Sequence, residues 1–271
     1  MADAPWIDPW RHSRLPWQTP DDQRVHARPA CALLDMAFAP DAWAQLRTLA
    51  ADVVPLFTHR YTGKGLDRLS PCLVVLPDEA RARECCWQAL LDLSNGAPML
   101  SVLRSTGDPH ALAEHLRRIW EGRSSTGQPW LLRWADGRAA ARLLDALDDA
   151  QRTRVLGGLH DWHLPTRIGD WMCVTGKGGV PLDTDARPLT FTAAQEATLR
   201  SGSQADAITR FILQRPVLRP DGMLPSQVHR CAEHVLGRLA RRGIDHPALA
   251  HRMTIKVVAA RNAPHGDDEM P

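Results

Sequence analysis

The stretch from Trp130 to Leu147, WLLRWADGRAAARLLDAL, dictates two elements and the turn between them. Trp130, Leu131, Leu132 and Trp134 form an apolar, aromatic run too short for a helix, which predicts a strand. Asp136 ends it, because a carboxylate there can accept hydrogen bonds from the free amides that open a helix. Behind it Ala140, Leu143, Leu144 and Leu147 recur at i, i+3, i+4 and i+7, the stripe of one helical face. Strand, tight turn and amphipathic helix make half of a βαβ unit, and charged groups at the carboxyl end of such a strand often mark a site. Arg133, Asp136 and Arg138 lie there. Two readings stand for them: a helix cap with solvated or locally paired arginines, or a binding site.

Upstream of this anchor the pattern repeats. Ala30–Met36 reads as a buried strand ending in Asp35, and Pro40 opens a helix carrying Trp43, Leu46 and Leu49. Val53–Phe57 and Ser70–Leu76 are further strands, the second apolar enough to be buried on both faces. A helix with Cys86, Leu90 and Leu93 stops at Asn95 and Gly96, and Pro98–Leu103 makes another strand. Asp108 and Pro109 start a helix with Leu112, Leu116 and Ile119 inward, closed by Gly122. The alternation predicts an α/β (α+β) lobe over 30–176 with a mixed or parallel sheet.

After a helix from Asp148 to Leu156, HDWHLPTRIGDWMCVTGKGG reads as a strand pair or an irregular crossing. Turn residues concentrate between Gly176 and Arg187, which places a boundary there. Beyond it the pattern is helical over 187–262, so a smaller all-helical lobe follows. Thr192 with Gln195, and Ser203 with Asp206, resemble capping boxes that start two helices. A longer helix runs from Ser226 to Arg242, and Asp245 with Pro247 starts a last one. Residues 263–271 form a fraying tail. At the other end, 1–29 is a Pro- and Trp-rich arm whose Trp6, Trp10 and Trp17 either fold back on the body or dock on a partner.

The chain has 271 residues, 44% of them hydrophobic, enough to build a core. Its net charge of +2 hides an uneven layout, since Arg187–Arg261 holds twelve Lys and Arg against five Asp and Glu. No aromatics interleave those arginines in the way that stacks bases, so nucleic acid is the weaker partner for the basic segment and an acidic protein surface the better one. The first residues lack the apolar stretch of a signal peptide, and no run approaches the roughly 18 apolar residues of a membrane span. A cytoplasmic protein without a membrane partner is expected. Six cysteines show no disulfide spacing and are expected to be mostly small buried hydrophobes.

Signatures of chemistry are weak. VTGKGG lacks the upstream glycine and the Ser or Thr after Lys177 that a phosphate loop needs. Cys231 and His234 share a helical face without a second ligand pair, so no metal is expected. His160, Asp161 and His163 could serve acid–base roles, and an enzyme would need them or Cys173 joined with an acid in one concave site. No nucleophile elbow or dinucleotide turn accompanies them. No cofactor and no catalysis are expected.

The order CALLDMAFAP, SPCLVVL, PMLSVLRS, ALAEHLRRIW and PWLLRWADGRAAARLLDAL, then a helix leading to Trp162, resembles the bacterial family of domain of unknown function 4123. The resemblance covers roughly Cys31–Trp171. Leu34 and Asp35 match its opening strand, and His115, Leu116 and Arg117 match a helical HLR. Its element of Arg, two aromatics and Asp-Pro-Arg matches Arg133, Trp134, Ala135, Asp136, Gly137 and Arg138, with Ala135 replacing an aromatic and Gly137 the proline. The resemblance implies an adaptor chaperone of type VI secretion. Such a protein binds a secreted effector in the cytoplasm and helps load it onto the VgrG or PAAR spike protein. On that reading Asp35, His115, Arg117, Arg133, Asp136 and Arg138 form one partner-binding face, and Arg230, Arg238, Arg241 and Arg242 on the helical lobe form another.

Overall fold

The computed structural model describes residues 5–16, 30–49, 52–57, 61, 63, 65–182 and 187–261. Trp17, most of the expected arm, part of the expected 176–187 boundary and the 263–271 tail lie outside them. Two compact units emerge, Pro9–Leu199 and a second joining residues up to Asp8 with those from Arg200 onward.

The first unit is α+β. Its main sheet has the order β2-β3-β1-β4-β7-β8, from β1 (Ala30–Leu34), β2 (Val53–Pro55), β3 (Cys72–Val75), β4 (Leu100–Ser105), β7 (Leu159–Pro165) and β8 (Trp171–Thr175). Every neighbouring pair is antiparallel. Two of the helical crossovers expected from the sequence each skip a strand, whereas β2 passes to its neighbour β3 through the short α2 (Leu66–Leu69). From β1 through α1 (Trp43–Leu49) the chain reaches β2, which runs parallel to β1 with β3 between them. From β3 through α3 (Ala80–Ser94) it reaches β4, parallel to β3 with β1 between. These are split βαβ units, in which the inserted strand takes the hydrogen bonds that two parallel neighbours would otherwise share.

A period of two divides the sheet between two cores. Cys31, Leu33, Leu73, Leu103 and Trp162 pack with α4 (Pro109–Ile119), α5 (Gly137–Ala146) and α6 (Asp149–Leu156). Ala32, Leu34, Cys72, Val74, Leu100 and Val102 pack with Leu46 of α1 and with Trp87, Leu90 and Leu91 of α3. The fully buried indoles of Trp134 and Trp162 keep their N–H groups satisfied, as low-dielectric burial requires. Trp134 Nε1 donates to Ile119 O at 2.8 Å and Trp162 Nε1 to Ser101 Oγ at 3.0 Å.

The strand read at Trp130 belongs to a small second sheet. There β6 (Pro129–Leu131) pairs antiparallel with β5 (Glu121–Arg123), which takes β9 (Leu189–Thr190) as a parallel neighbour. Gly122 is therefore a strand residue; a Cβ there would come within 2.9 Å of Phe191 Cε2. Pro9–Pro16 folds back on this unit. Trp10 stacks on Trp171 with ring centroids 4.6 Å apart, and its Nε1 donates to Ser94 Oγ at 3.1 Å.

The second unit packs the part of α7 (Ala193–Leu213) from Arg200 onward, α8 (Pro225–Ala240) and α9 (Pro247–Ala260) around Ile208, Ile212, Val228, Cys231, Val235 and Val258. The Thr192–Gln195 box is formed in both directions, at 2.8 and 3.2 Å. Ser203 starts nothing: α7 runs unbroken from Ala193 to Leu213, and Ser203 Oγ donates back to Arg200 O. Twenty-one residues in one helix outweigh a local capping option, because each added residue contributes a hydrogen bond without a new nucleation cost. Residues 5–8 belong here. Trp6 lies under the Arg210 guanidinium at 3.9 Å, and buried Asp8 accepts from Ser226 N at 2.9 Å and Ser226 Oγ at 2.6 Å, supplying the cap that α8 lacks locally.

Candidate partner-binding site

Asp35 ends β1 and Asp136 ends the β6 turn, and the fold brings both carboxylates to one arginine pair. Asp35 stays in place because its Oδ1 accepts from Ala37 N at 3.2 Å and its own N–H donates to Met99 O at 2.9 Å. Asp136 caps α5, accepting Arg138 N at 3.1 Å. Arg138 returns to it with Nε at 3.1 Å and a terminal nitrogen at 2.8 Å, a forked pairing with only 9% of the arginine side chain exposed. Arg133 donates to Asp35 Oδ2 at 2.6 Å and sits 3.9 Å from Asp136 Oδ2.

Two buried acids thus face two arginines, which meets the condition for keeping carboxylates in a low dielectric. Phe38 supplies a ring face to both guanidinium groups, at 5.5 Å from Arg133 and 5.8 Å from Arg138. Burial lowers the pKa of Arg133, but Asp35 and Asp136 outweigh it and leave the value raised. Arg138 is enclosed, whereas 48% of the Arg133 side chain faces solvent. That is a charge held in one geometry with surface to spare, suited to a partner's carboxylate or carbonyl.

Gly137 makes the turn possible. A Cβ at that position would overlap Cγ and Cδ of Pro165, and the Gly137 N–H donates to Pro98 O at 2.8 Å. The sequence reading missed Phe38, Pro98 and Pro165, which meet the turn only through tertiary structure.

Other expected site residues sit elsewhere. His115 is fully buried, its Nε2 3.0 Å from Val155 O, so it belongs to the core and offers no surface. Arg117 closes the β2 edge, with Nε donating to Leu56 O at 3.2 Å and a terminal nitrogen to Pro55 O at 2.7 Å. In the second unit Arg230, Arg238, Arg241 and Arg242 are all exposed. α8 ends at Ala240, so the last two lie beyond its regular turns.

The residues weighed for catalysis do gather. Arg104 Nε donates to both oxygens of Asp161, at 2.9 and 3.0 Å, while His160 Nδ1 lies 2.8 Å and His163 Nε2 3.1 Å from that carboxylate. Burial alone would raise the Asp161 pKa, but bonds from His163, Arg104 and His160 hold it far below the carboxylate range. Cys173 stands opposite His163 in the sheet register. Its thiol pKa is raised by burial and by Asp161, the reverse of thiolate activation. Among the described residues, no group of three His, Cys, Asp or Glu could hold a metal ion, and no helix is long and apolar enough to cross a membrane.

The first unit is therefore an α+β domain with an acid–arginine clamp that leaves one guanidinium open. Residues 31–154, from β1 into α6, match the family described as "Domain of unknown function (DUF4123)". The matched span contains Asp35, Arg133, Asp136 and Arg138. No curated protein and no solved structure matches the chain.

Proposed function

We propose that this protein is a cytoplasmic adaptor chaperone that binds a type VI secretion effector and helps load it onto a VgrG or PAAR spike protein. The observation that carries the reading is the half-exposed Arg133 guanidinium, fixed by buried Asp35 inside the segment that matches the family. A fixed cation loses little freedom when a partner engages it, so it supplies selectivity without the large apolar interface that would oppose release. The exposed arginines of α8 supply a second, looser attraction for acidic surfaces.

The test is recovery of the tagged chain from its native cytoplasm followed by mass spectrometry of what accompanies it. A large effector and a spike protein are expected, and Arg133→Gln, which keeps a hydrogen-bond donor for buried Asp35 but removes the exposed charge, is expected to weaken recovery of the effector while remaining folded. Recovery of neither protein with the unaltered chain rejects the proposal.

A further inference from the structure

The two edges of the main sheet are treated differently. The β2 edge is three residues long, ends in Pro55, and has its last carbonyls taken by Arg117. Those are the ordinary defences of an edge strand. The β8 edge, WMCVT, has five residues with neither proline nor charge.

Which backbone groups face outward follows from the register. Gly176 N donates to His160 O at 2.8 Å and Thr166 N to Asp170 O at 2.7 Å, which fixes 160/176 and 166/170 as hydrogen-bonded pairs of the β7–β8 ladder. By alternation Met172 and Val174 bond inward, while Trp171, Cys173 and Thr175 turn their peptide groups away from β7. Asp170 Oδ1 takes the Trp171 N–H at 2.8 Å. The N–H and C=O of Cys173 and Thr175 have no hydrogen-bond partner among the described residues. Met172, Cys173 and Thr175 are exposed around them.

The charges beside this edge are mostly of one sign. A groove of about 540 Å³ opens where β8 begins, lined by Arg11, His12, Arg14, Asp170 and Trp171 among others. Lys177, exposed, follows the other end of the strand. A second copy pairing antiparallel through β8 would bring the Arg11 and Arg14 end of one chain to Lys177 of the other, which is repulsive.

We infer that the β8 edge is a docking site for an extended, acidic segment of a partner polypeptide, which adds to the sheet as a further strand. Backbone hydrogen bonds from Cys173 and Thr175 give affinity, and the flanking cations select for acidic side chains. This surface shares no residue with the Arg133 clamp, and the inference holds whether or not the partner is a secretion effector.

The probe is a synthetic peptide of about ten residues, near the upper length of a strand, alternating Glu with Val. A Lys-for-Glu counterpart serves as control. Binding to the full chain is followed by fluorescence polarisation, and amide exchange is read at Cys173 and Thr175. The acidic peptide is expected to bind at least about tenfold more tightly than the basic one and to slow exchange of both amides. Thr175→Pro removes an outward N–H without breaking a β7 bond, and Cys173→Lys blunts the edge with the backbone intact. Both are expected to weaken binding about tenfold. Equal binding of the two peptides, no binding of either, or undiminished binding by both folded variants overturns the inference. So does a concentration-dependent dimer that cross-links through Cys173, which assigns the edge to a second copy.

Discussion

The ring of Pro165 fills the space where a side chain at Gly137 would begin. The close approach joins the end of β7 to the first residue of α5 and seats the turn that carries Arg133, Asp136 and Arg138.

A methyl group at position 137 is therefore expected to be costly. Gly137→Ala should destabilise the first unit by about 1–3 kcal/mol, the range for overpacking, as read by urea denaturation. Combining it with Pro165→Ala, which deletes the obstructing ring atoms, should recover more than half of that loss. Additive losses in the double variant would show that the ring is not the obstacle.

Asp136 combines two tasks that substitutions separate. Asp136→Asn keeps an acceptor for the Arg138 amide but loses the charge that Arg138 and Arg133 share, and Asp136→Ala loses both. The Ala variant should be less stable than the Asn variant by about 1 kcal/mol, the usual worth of a helix cap. Both should fall well below the unaltered chain, because the enclosed Arg138 is left without its counter-charge. Thermal melts of the three proteins in one buffer decide this.

Acid should act through Asp161. Its pKa is lower in the folded chain than in the unfolded one, so its contribution to stability is complete above the unfolded value, about 4 for a carboxylate. The contribution is lost as pH falls below that value toward the lowered folded one. Denaturation midpoints between about pH 5 and 2 should drop more steeply for the unaltered chain than for Asp161→Asn. Parallel slopes would assign the acid sensitivity to other carboxylates.

The arginines on α8 and at its C-terminal end should matter for binding and little for folding. Reversing Arg238 and Arg241 to Glu should change stability by no more than about 0.5 kcal/mol per site, as for exposed positions. It should reduce recovery of an acidic partner at low salt, and added salt should shrink the difference. Unchanged recovery at low salt would remove this face from the interface.

What the sequence disclosed was local. Asp136 before the Ala140, Leu143 and Leu144 stripe specifies a capped helix within a few residues, and α5 forms as read. The antiparallel order was hidden, because alternation of strands and helices is the same whether a crossover joins neighbours or skips one. β5 and β9, three and two residues long, carry too little pattern to stand out. His115 could have been read correctly: three residues after Leu112 and four before Ile119, it lies on the buried stripe of α4. Within the clamp, the Asp136–Arg138 pair was visible as a turn, but Asp35 lies 98 positions from Arg133 and only the sheet joins them.

The hydrogen bonds from Ser226 to Asp8 span 218 positions of sequence. At a synthesis rate of about 5–20 residues per second, the first turn of α8 emerges roughly 10–40 s after its capping carboxylate. During that interval residues 5–8 have no native seat, and the helical unit cannot close before Ser226 has been made. A change that disturbs residues 5–8 would therefore act 218 positions away, leaving α8 uncapped and the helices packed on it loosened.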